Sequence, residues 1–351
     1  MNRQPNKCAF FRVDANRKIG SGHLVRCRLI ADKLMQKGVK PFFIYNEIPE
    51  RYKIELAEKG FGTVQIDNTE NETGVLTGII KNSGCEKSIL ITDSDKELFY
   101  KKEFQLAVRS KNTALMTITF YNKTHFYSDI ILNQNIMAPH LKYSTEPYTE
   151  KLLGTEYVIL DPRFTEIKNK NISWEKKENI VLVSFGGADK ADRTVLVYDI
   201  LQNFSEFIDK IIVVVGALYE NKETLEKLIS GSKINTELFI NTDKMPFLMS
   251  EAKYAITSGG LTAWELGVAK TLNIIISESE RENLSGKYLG DHGYCYFLGN
   301  VNGISSDKIK VMLNEILSNP GKNKAMVEKL YAEINPKGVD KVAEIILQKL
   351  G

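Results

Sequence analysis

The chain has 351 residues, of which 43% are apolar and 26% are charged. This is the composition of an ordinary folded protein and excludes a disordered or fibrous one, and at roughly 150 residues per domain the length predicts two domains. With 47 Lys and Arg against 44 Asp and Glu, the net charge is +3. That balance argues against a nucleic-acid-binding protein, which more often has a domain-wide basic excess. No apolar run reaches the roughly 20 residues that cross a bilayer.

The amino terminus and the cysteines predict a cytoplasmic protein. Met1–Lys7 is polar and leads straight into an apolar strand, unlike a signal peptide. The chain has four cysteines and no CxxC pair among them: Cys8, Cys27, Cys85 and Cys295. This spacing is typical of reduced structural thiols rather than of a zinc site or a disulfide framework.

Short apolar, β-rich runs alternate with amphipathic stretches in the first half of the chain. This order predicts a parallel sheet with crossover helices. The predicted strands are Cys8–Val13, Pro41–Tyr45, Thr63–Asp67, Ser88–Thr92, Ala114–Phe120 and Asp129–Asn133. A helix is predicted over about Leu24–Lys37, because its apolar residues fall on one face and Gly38 can cap its end.

The stretch Gln134–Asn179 interrupts this alternation and predicts a domain boundary. It contains three prolines and a lysine-rich segment, Thr165–Asn179, whose interleaved glutamates are typical of a solvated surface. We therefore predict an amino-terminal Rossmann-like domain over residues 1–160, a second one over 175–335, and a carboxy-terminal helix over 336–351.

The alternation restarts in the second half. The predicted strands are Ile180–Ser184, Lys210–Val215, Glu237–Ile240, Tyr254–Thr257, Leu272–Ile276 and Tyr294–Phe297. The predicted helices lie near Arg193–Asn203, Lys222–Ile229, Met245–Ser250, Leu261–Ala269, Ser306–Ser318, Lys322–Glu333 and Val339–Lys349. Two doubly wound α/β domains place ligands outside the carboxyl ends of their strands, so a cleft between the domains is the expected site.

The first candidate motif joins the first strand to the first helix. Arg12 and Asp14 end the strand, Gly20 and Gly22 follow, and His23 begins the helix. Glycines here let backbone amides approach an anion, and a histidine can accept a proton from water at neutral pH. Asp14 is placed to orient that imidazole or the water. An ordinary role for His23, bonded to backbone in the first helical turn, stays open.

Two further motifs place paired glycines where a strand of the second half turns into a helix. They are Ser184-Phe185-Gly186-Gly187-Ala188-Asp189 and Thr257-Ser258-Gly259-Gly260-Leu261-Thr262-Ala263-Trp264-Glu265. N–H groups at such turns can hold a diphosphate, and Glu265 can accept hydrogen bonds from ribose hydroxyls. One Gly-Gly turn is usually a tight connection only, but two on one sheet favour a nucleotide-binding edge. No Walker loop, HExxH motif or DxD pair suited to a metal is present, so we expect neither a metal nor another cofactor.

These segments together resemble one family over about residues 8–298. The matching motifs are Arg12-x-Asp14, Ile19-Gly-x-Gly22-His23-x-x-Arg26, Asn133-Gln134-Asn135, Leu153-Gly154 with Tyr157, Ser184-Phe-Gly-Gly187-x-Asp189, Val215-Gly216 and Ser258-Gly-Gly-x-Thr262-x-Trp264-Glu265. They are similar to the PseG/SpsG family, whose best-known members are UDP-2,4-diacetamido-2,4,6-trideoxy-β-L-altropyranose hydrolases of pseudaminic acid biosynthesis. The resemblance implies a GT-B fold, with the nucleotide on the second domain and the sugar facing the first.

The resemblance also implies roles for single residues. His23 matches the histidine that activates water, and Glu265 matches the ribose-binding carboxylate. The diphosphate loop corresponds to Ser258, Gly259, Gly260 and Thr262. The implied reaction is attack of water on the anomeric carbon, which expels UDP with inversion and without a metal.

Five residues of the first domain are weaker candidates for contact with the sugar: Arg12, Gly20, Gly22, Asn133 and Asn135. For the two asparagines a role in a turn stays open.

Three segments depart from the family pattern on the sugar side. Asp93-Ser94-Asp95 stands where the family usually has Asp-His-Tyr, and Ser279-Glu280-Arg281-Glu282 stands near its Asn-Gln. Thr119-Phe120 replaces a pair of aspartates. These departures leave the sugar and the acceptor open.

The predicted function is therefore a metal-independent nucleotide-sugar hydrolase. It would remove UDP from a UDP-linked 2,4-diacetamido-2,4,6-trideoxyhexose with His23 as the base. One alternative is an SpsG-like GT-B glycosyltransferase, because water and a sugar hydroxyl need the same base. A second is a non-catalytic sugar-nucleotide-binding protein. The expected partner is a small-molecule nucleotide sugar and not a nucleic acid, and no oligomeric state is predicted.

Overall fold

The structure is a computed structural model that describes residues 6–16 and 19–351. Most of the polar amino terminus, residues 1–5, lies outside the described residues, as do Arg17 and Lys18 of the first glycine motif.

Strands and helices alternate along the described residues. The strands are β1 (Lys7–Arg12), β2 (Lys40–Tyr45), β3 (Gly62–Gln65), β4 (Lys87–Asp93), β5 (Thr113–Ile118), β6 (His125–Phe126), β7 (Ile130–Asn133), β8 (Ser144–Thr145), β9 (Glu150–Leu153), β10 (Ile180–Ser184), β11 (Lys210–Val215), β12 (Asn235–Ile240), β13 (Tyr254–Thr257), β14 (Leu272–Ser277) and β15 (Tyr296–Asn300). The α-helices are α1 (Gly22–Gln36), α2 (Glu50–Glu58), α3 (Glu72–Asn82), α4 (Lys102–Val108), α5 (Arg163–Lys170), α6 (Arg193–Leu201), α7 (Lys222–Ser230), α8 (Met245–Glu251), α9 (Thr262–Val268), α10 (Glu280–Asp291), α11 (Ser306–Leu317), α12 (Pro320–Glu333) and α13 (Gly338–Leu350).

These elements form two compact units. Unit 1 contains the described residues up to Leu160 together with Lys337–Gly351, and unit 2 contains Asp161–Pro336. The carboxy-terminal helix, which we predicted as a separate element, therefore belongs to unit 1. The segment 161–174, which the prediction left between two domains, belongs to unit 2.

Unit 1 is built on a seven-stranded sheet in the order β3-β2-β1-β4-β5-β7-β9. Every pair of neighbours is parallel, as the alternation of strand and helix predicts. The chain runs outward from β1 to β3 and then returns to β4. Because the strand order reverses between β1 and β4, their carboxyl ends at Arg12 and Asp93 flank the switch point where such sheets bind ligands.

The first strand is buried on both faces, which a central parallel strand requires. The consecutive residues Phe10 and Phe11 lie in two different cores, because successive side chains of a strand point to opposite faces. The helix α13 completes one of these cores with Val339, Val342 and Ile346. This apolar stripe explains why α13 packs on unit 1.

The cysteines differ from the prediction. Cys8 and Cys85 form a disulfide with their Cα atoms 6.0 Å apart, whereas Cys27 and Cys295 are free and buried. Cys8 pairs with Ser88 in the register of β1 and β4, which brings the start of β1 beside the turn before β4. The prediction of four reduced thiols was wrong, because this pairing joins residues 77 positions apart.

Besides the two-residue strand β8, two elements lie within the predicted boundary stretch Gln134–Asn179, the strand β9 and the helix α5. The edge strand β9 contains a glutamate and a lysine, and only Leu152 of its residues is buried. The helix α5 buries Phe164 and leaves most of its charged residues partly or fully exposed. Both elements have too little apolar surface to stand out from a solvated segment.

Unit 2 is built on a six-stranded parallel sheet in the order β12-β11-β10-β13-β14-β15. The six strands predicted for this half are confirmed. The order reverses between β10 and β13, whose carboxyl ends are Ser184 and Thr257. The two Gly-Gly turns therefore follow the two strands that flank the switch point of this sheet.

Among the described residues, no helix is both long and apolar enough to cross a membrane. The cytoplasmic location stays a prediction.

Candidate functional site

The turn after β1 is held by Asn16. Its carbonyl accepts the N–H of Gly20 at 2.8 Å, and its side chain accepts the N–H of Ile19 at 3.0 Å. Gly20 has φ +79°, a left-handed conformation that glycine adopts without strain. A Cβ at Gly22 would meet nothing within 4 Å, so the space in front of the first turn of α1 is open.

His23 lies in the first turn of α1, against the carboxyl end of β4. Its Nδ1 is 3.2 Å from the main-chain oxygen of Asp93 and 3.2 Å from Oδ1 of the same residue. The oxygens of a peptide carbonyl and of a carboxylate are acceptors only, so Nδ1 carries the hydrogen. In the neutral ring Nε2 is then the proton acceptor.

The carboxylate of Asp93 is fixed from a second side. Arg26 donates hydrogen bonds from Nε and one Nη to the two carboxylate oxygens. The Sγ of Cys27 lies 3.7 Å from Oδ2 of the same carboxylate. The side chain of Asp93 is almost completely buried. Bidentate Arg–carboxylate pairs are geometrically specific, so Asp93 presents a rigid face to His23. Sequence reasoning missed this role of Asp93; the Arg26 of the motif, one helical turn after His23, was the signal that could have revealed it.

The position beside Nδ1 that the sequence analysis gave to Asp14 is thus occupied by Asp93. Asp14 instead accepts the backbone N–H of Asn46 at 2.6 Å and forms an ion pair with Arg12 at 2.8 Å. Burial alone raises the pKa of Asp14, but the hydrogen bonds and the charge of Arg12 outweigh it and lower that pKa below its usual value. Asp14 is therefore an ionised structural carboxylate.

Arg12 has no exposed surface and belongs to the same buried cluster. Its guanidinium donates to Glu72 and Asn46 in addition to its ion pair with Asp14, and it lies over the ring of Phe99. These contacts engage the side chain within unit 1, and a contact of Arg12 with a sugar stays a prediction.

The asparagines at and just after the end of β7, Asn133 and Asn135, also form hydrogen bonds within unit 1. Asn133 is completely buried and donates to the main-chain oxygen of Phe120 and to the hydroxyl of Tyr143. Its side-chain oxygen accepts the backbone and side-chain N–H groups of Asn135, at 3.1 and 2.6 Å. Of the two roles left open for this pair, the structure supports the turn.

In unit 2, the turn after β10 contains Gly186 and Gly187. Gly186 is exposed with φ +82°, and a Cβ there would meet nothing within 4 Å. Gly187 packs against the loop after β11, because a Cβ on Gly216 would lie 2.4 Å from its Cα, and its carbonyl accepts the N–H of Leu218. Gly186 faces open space, whereas Gly216 must be glycine for its loop to approach the backbone of Gly187.

The turn after β13 contains a second glycine pair, of which one residue packs closely and the other faces open space. Gly259 has φ +83°, and a Cβ there would lie 2.9 Å from the side chain of Ile275. Gly260 is exposed, and a Cβ there would meet nothing within 4 Å. Ser258 directly follows β13 and Thr262 is the first residue of α9, and both are partly exposed.

Glu265 lies one turn into α9 and is partly exposed. Burial, with a smaller contribution from the carboxylate of Asp161, raises the pKa of Glu265 to about 7. Asp161 is itself held by Arg163 through two contacts of 2.9 and 2.8 Å. A carboxylate that resists ionisation in this way gains from hydrogen-bond donors such as hydroxyl groups.

Arg193, the first residue of α6, was missed by the sequence analysis. It is 2% exposed and carries contacts to the loops after β10 and after β14. Its sequence position at the start of a predicted helix gave no signal of this burial.

Within residues 6–16 and 19–351, no group of three or more His, Cys, Asp or Glu side chains is arranged to hold a metal ion.

No protein-family profile matches the chain. Uncharacterized protein MJ1062 of Methanocaldococcus jannaschii is 25% identical over 264 residues, which cover 72% of this chain and 52% of that protein, so the chain spans about half the length of this relative. The spore coat polysaccharide biosynthesis protein SpsG of Bacillus subtilis is 22% identical over 310 residues, which cover 87% of this chain and 88% of that protein.

Solved structures are similar over nearly the whole chain. MurG of Acinetobacter baumannii has a TM-score of 0.71 at 13% identity, over 98% of this chain and all of that one. The calicheamicin glycosyltransferase CalG4 has a TM-score of 0.67 at 11% identity, over 99% and 98% of the two chains. The fold is that of the GT-B glycosyltransferases. The predicted α/β, GT-B-like class with two Rossmann-type domains is therefore confirmed.

Proposed function

We propose that the chain is a GT-B enzyme that transfers a sugar from a nucleotide donor to a hydroxyl acceptor. Unit 2 would bind the nucleotide and His23 of unit 1 would act as the general base. The fold and the similarity to SpsG, a polysaccharide biosynthesis protein by name, support this class. The similar structures also include glycosyltransferase VinC in complex with dTDP and MnaA with UDP.

The observation that carries the proposal is the contact of His23 with Asp93. Because Nδ1 donates to Asp93, Nε2 can take the proton of the acceptor hydroxyl as its oxygen attacks the anomeric carbon. The bond from that carbon to the diphosphate oxygen breaks, and the nucleoside diphosphate leaves. Asp93 stabilises the imidazolium formed in this step and holds the ring in the reactive tautomer.

The leaving diphosphate needs donors that exist before the reaction, because preorganised N–H groups stabilise developing charge best. We assign this role to the backbone of the turn Ser258–Thr262, with Gly186 of the neighbouring turn. At Gly186 and at Gly260 a side chain would fill open space rather than clash with the protein. Glycine at these positions leaves the backbone accessible to a diphosphate.

Glu265 would accept hydrogen bonds from the ribose hydroxyls. Its partial exposure leaves a face for the ligand, and its raised pKa reflects a carboxylate with few compensating donors in the protein. Ribose hydroxyls would supply those donors.

Hydrolysis is the second candidate, with water in place of the acceptor hydroxyl. The observation that favours it is the match of the His23 and Trp264-Glu265 motifs to the PseG pattern. Its substrate would be a UDP-linked 2,4-diacetamido-2,4,6-trideoxyhexose. The same base and the same diphosphate turn serve both reactions.

Two measurements test the proposal. A thermal-shift panel with UDP, CMP, CDP and GDP identifies the nucleotide, and we expect one diphosphate to raise the Tm. Incubation of the enzyme with the matching nucleotide sugars, with and without sugar acceptors, then separates the candidates. Acceptor-dependent release of nucleotide supports transfer, and equal release without an acceptor supports hydrolysis. Tight binding with no release under any condition supports the non-catalytic alternative.

A further inference from the structure

Arg193 is a fully buried cation at the carboxyl edge of the unit 2 sheet. Its side chain is 3% exposed, and its guanidinium lies 4.7 Å from the centre of the Phe185 ring. Buried cations require partners, because burial without compensation is costly. The partners of Arg193 come from two different loops.

The first loop follows β10 and contains the Gly186 turn. The Nε of Arg193 donates to Oδ1 of Asp189 at 3.1 Å. Asp189 also accepts the N–H and hydroxyl of Thr194 at 2.8 and 2.7 Å. With φ +38°, Asp189 turns the chain from this loop into α6. Arg193 therefore fixes the end of the loop.

The second loop follows β14. Arg193 donates to the main-chain oxygen of Ile276 at 3.0 Å and contacts the carboxylates of Glu278 and Glu282 at 3.1 and 3.4 Å. Glu282 accepts the N–H groups of Glu278 and Ser279, and the Ser279 side chain accepts the N–H of Glu282 in a capping box. One guanidinium thus holds the whole connection from β14 to α10.

The strand order places the two loops that Arg193 contacts on either side of the turn after β13. In the order β10-β13-β14, the loops that Arg193 joins follow the strands on either side of β13. The turn Ser258–Thr262 follows β13 and packs on β14, since a Cβ on Gly259 would meet Ile275. The two loops therefore flank the turn that we assign to the diphosphate.

We propose that Arg193 is a positioning residue that joins the loops 186–192 and 278–282, so that both are ordered together when a nucleoside diphosphate binds at Ser258–Thr262. This inference rests on the proposed function. Arg193 itself is too buried to touch the ligand and acts through the two loops. Its planar fork matches both loops at once, whereas the single ammonium of a lysine cannot.

Hydrogen exchange measured by mass spectrometry, with and without UDP, tests the link. In the wild type we expect UDP to slow exchange in 186–192 and in 278–285. In Arg193→Lys we expect the slowing in 278–285 to be lost and the Kd for UDP to rise roughly tenfold. Arg109→Lys is the matched control, because Arg109 forms a bidentate pair with Asp129 in unit 1, outside the proposed site. Identical UDP-dependent exchange in Arg193→Lys and the wild type would overturn the proposal.

The outcome separates this inference from the proposed function. If the wild type binds none of UDP, CDP and GDP, the nucleotide assignment fails, but exchange without ligand still tests whether Arg193 joins the two loops. Arg193→Lys must then exchange faster than the wild type in both loops, and unchanged rates overturn the link. If Arg193→Lys does not fold, Glu278→Gln removes one partly exposed partner. We expect faster exchange confined to 278–285, and unchanged exchange there also overturns the proposal.

Discussion

Nδ1 of His23 lies 3.2 Å from Oδ1 of Asp93, the last residue of β4. This contact joins the first turn of α1 to the strand on the other side of the switch point. Because Arg26 holds the same carboxylate from a second direction, the imidazole has a fixed partner and a fixed tautomer. The proposed catalysis depends on this arrangement.

Asp93→Asn should lower kcat by about 10²-fold or more. Asparagine lacks the negative charge that stabilises the imidazolium formed in the reaction, and its single side-chain oxygen cannot replace both carboxylate oxygens at His23 and Arg26. The main-chain oxygen of residue 93 still accepts from Nδ1, so the loss comes from the missing charge rather than from the tautomer. Nucleotide affinity should stay within about twofold, since this site lies in unit 1. Steady-state kinetics with the nucleotide sugar and calorimetry with the nucleotide provide the two numbers.

Asp129→Asn is the control for Asp93→Asn. Asp129 also forms a bidentate pair with an arginine, Arg109, in unit 1. Both variants should lose stability, and only Asp93→Asn should lose turnover. Equal kcat values for the two variants would contradict the role of Asp93.

Gly260→Ala should weaken nucleotide binding and leave stability nearly unchanged, whereas Gly259→Ala should lower the stability of the fold. A methyl group at Gly260 meets nothing in the protein, so the Tm should stay within a few degrees while the Kd for the nucleoside diphosphate rises about tenfold. At Gly259 the positive φ and the contact with Ile275 should cost about 1–3 kcal/mol of stability. Isothermal titration calorimetry measures the Kd of each variant, and urea unfolding measures its stability. Unchanged affinity in Gly260→Ala would contradict the assignment of the diphosphate.

Glu265 should make the stability of unit 2 depend on pH. Its pKa in the folded state, about 7, lies above its ordinary value of 4.5, so the folded state binds the proton more tightly. The resulting stability is fully present below pH 4.5 and is lost as the pH rises through about 7. Glu265→Gln removes this loss, so it should be about 1 kcal/mol more stable than the wild type at pH 8 and nearly equal to it at pH 4.5.

Urea unfolding of the wild type and of Glu265→Gln between pH 4.5 and pH 8 tests in which direction their stability difference changes with pH. Glu237→Gln is the control, because Glu237 lies in the same unit and pairs with Lys210 at the surface. An advantage of Glu265→Gln that is largest at low pH would contradict the raised pKa.

The Cys8–Cys85 disulfide should stabilise unit 1 by about 2–4 kcal/mol, because it closes a long loop in the unfolded chain. A reductant should lower the urea midpoint of the wild type and leave that of Cys85→Ser unchanged. Thiol titration in denaturant without reductant should find the two free cysteines, Cys27 and Cys295. Four reactive thiols under those conditions would contradict the pairing.

All strands of the two large sheets except β9 were predictable from the sequence, because buried parallel strands such as β1 and β10 are short continuous apolar runs. The polar strand β9 and the helix α5 were not, since their buried surfaces are too small to give a periodic pattern. The position of α13 depends on a core formed by distant residues, which no local pattern reveals.

The glycine turns of the candidate site were visible in the sequence, because strand-to-helix glycines have few other uses at adjacent strands. The partners of His23 and Arg193 were not. Asp93 ends β4, and Asp14 follows the end of the neighbouring strand β1. Only the three-dimensional arrangement distinguishes the carboxylate at the imidazole from the one at Arg12. Arg193 contacts Glu278 and Glu282 across some 85 to 89 positions of sequence.

The most direct test of the account is turnover by His23→Gln beside nucleotide binding by the same protein. Glutamine keeps a polar side chain of similar reach but cannot accept a proton at neutral pH. The account predicts that the variant binds the nucleoside diphosphate like the wild type and releases it from the nucleotide sugar at least about 10²-fold more slowly. Wild-type release by His23→Gln would contradict it.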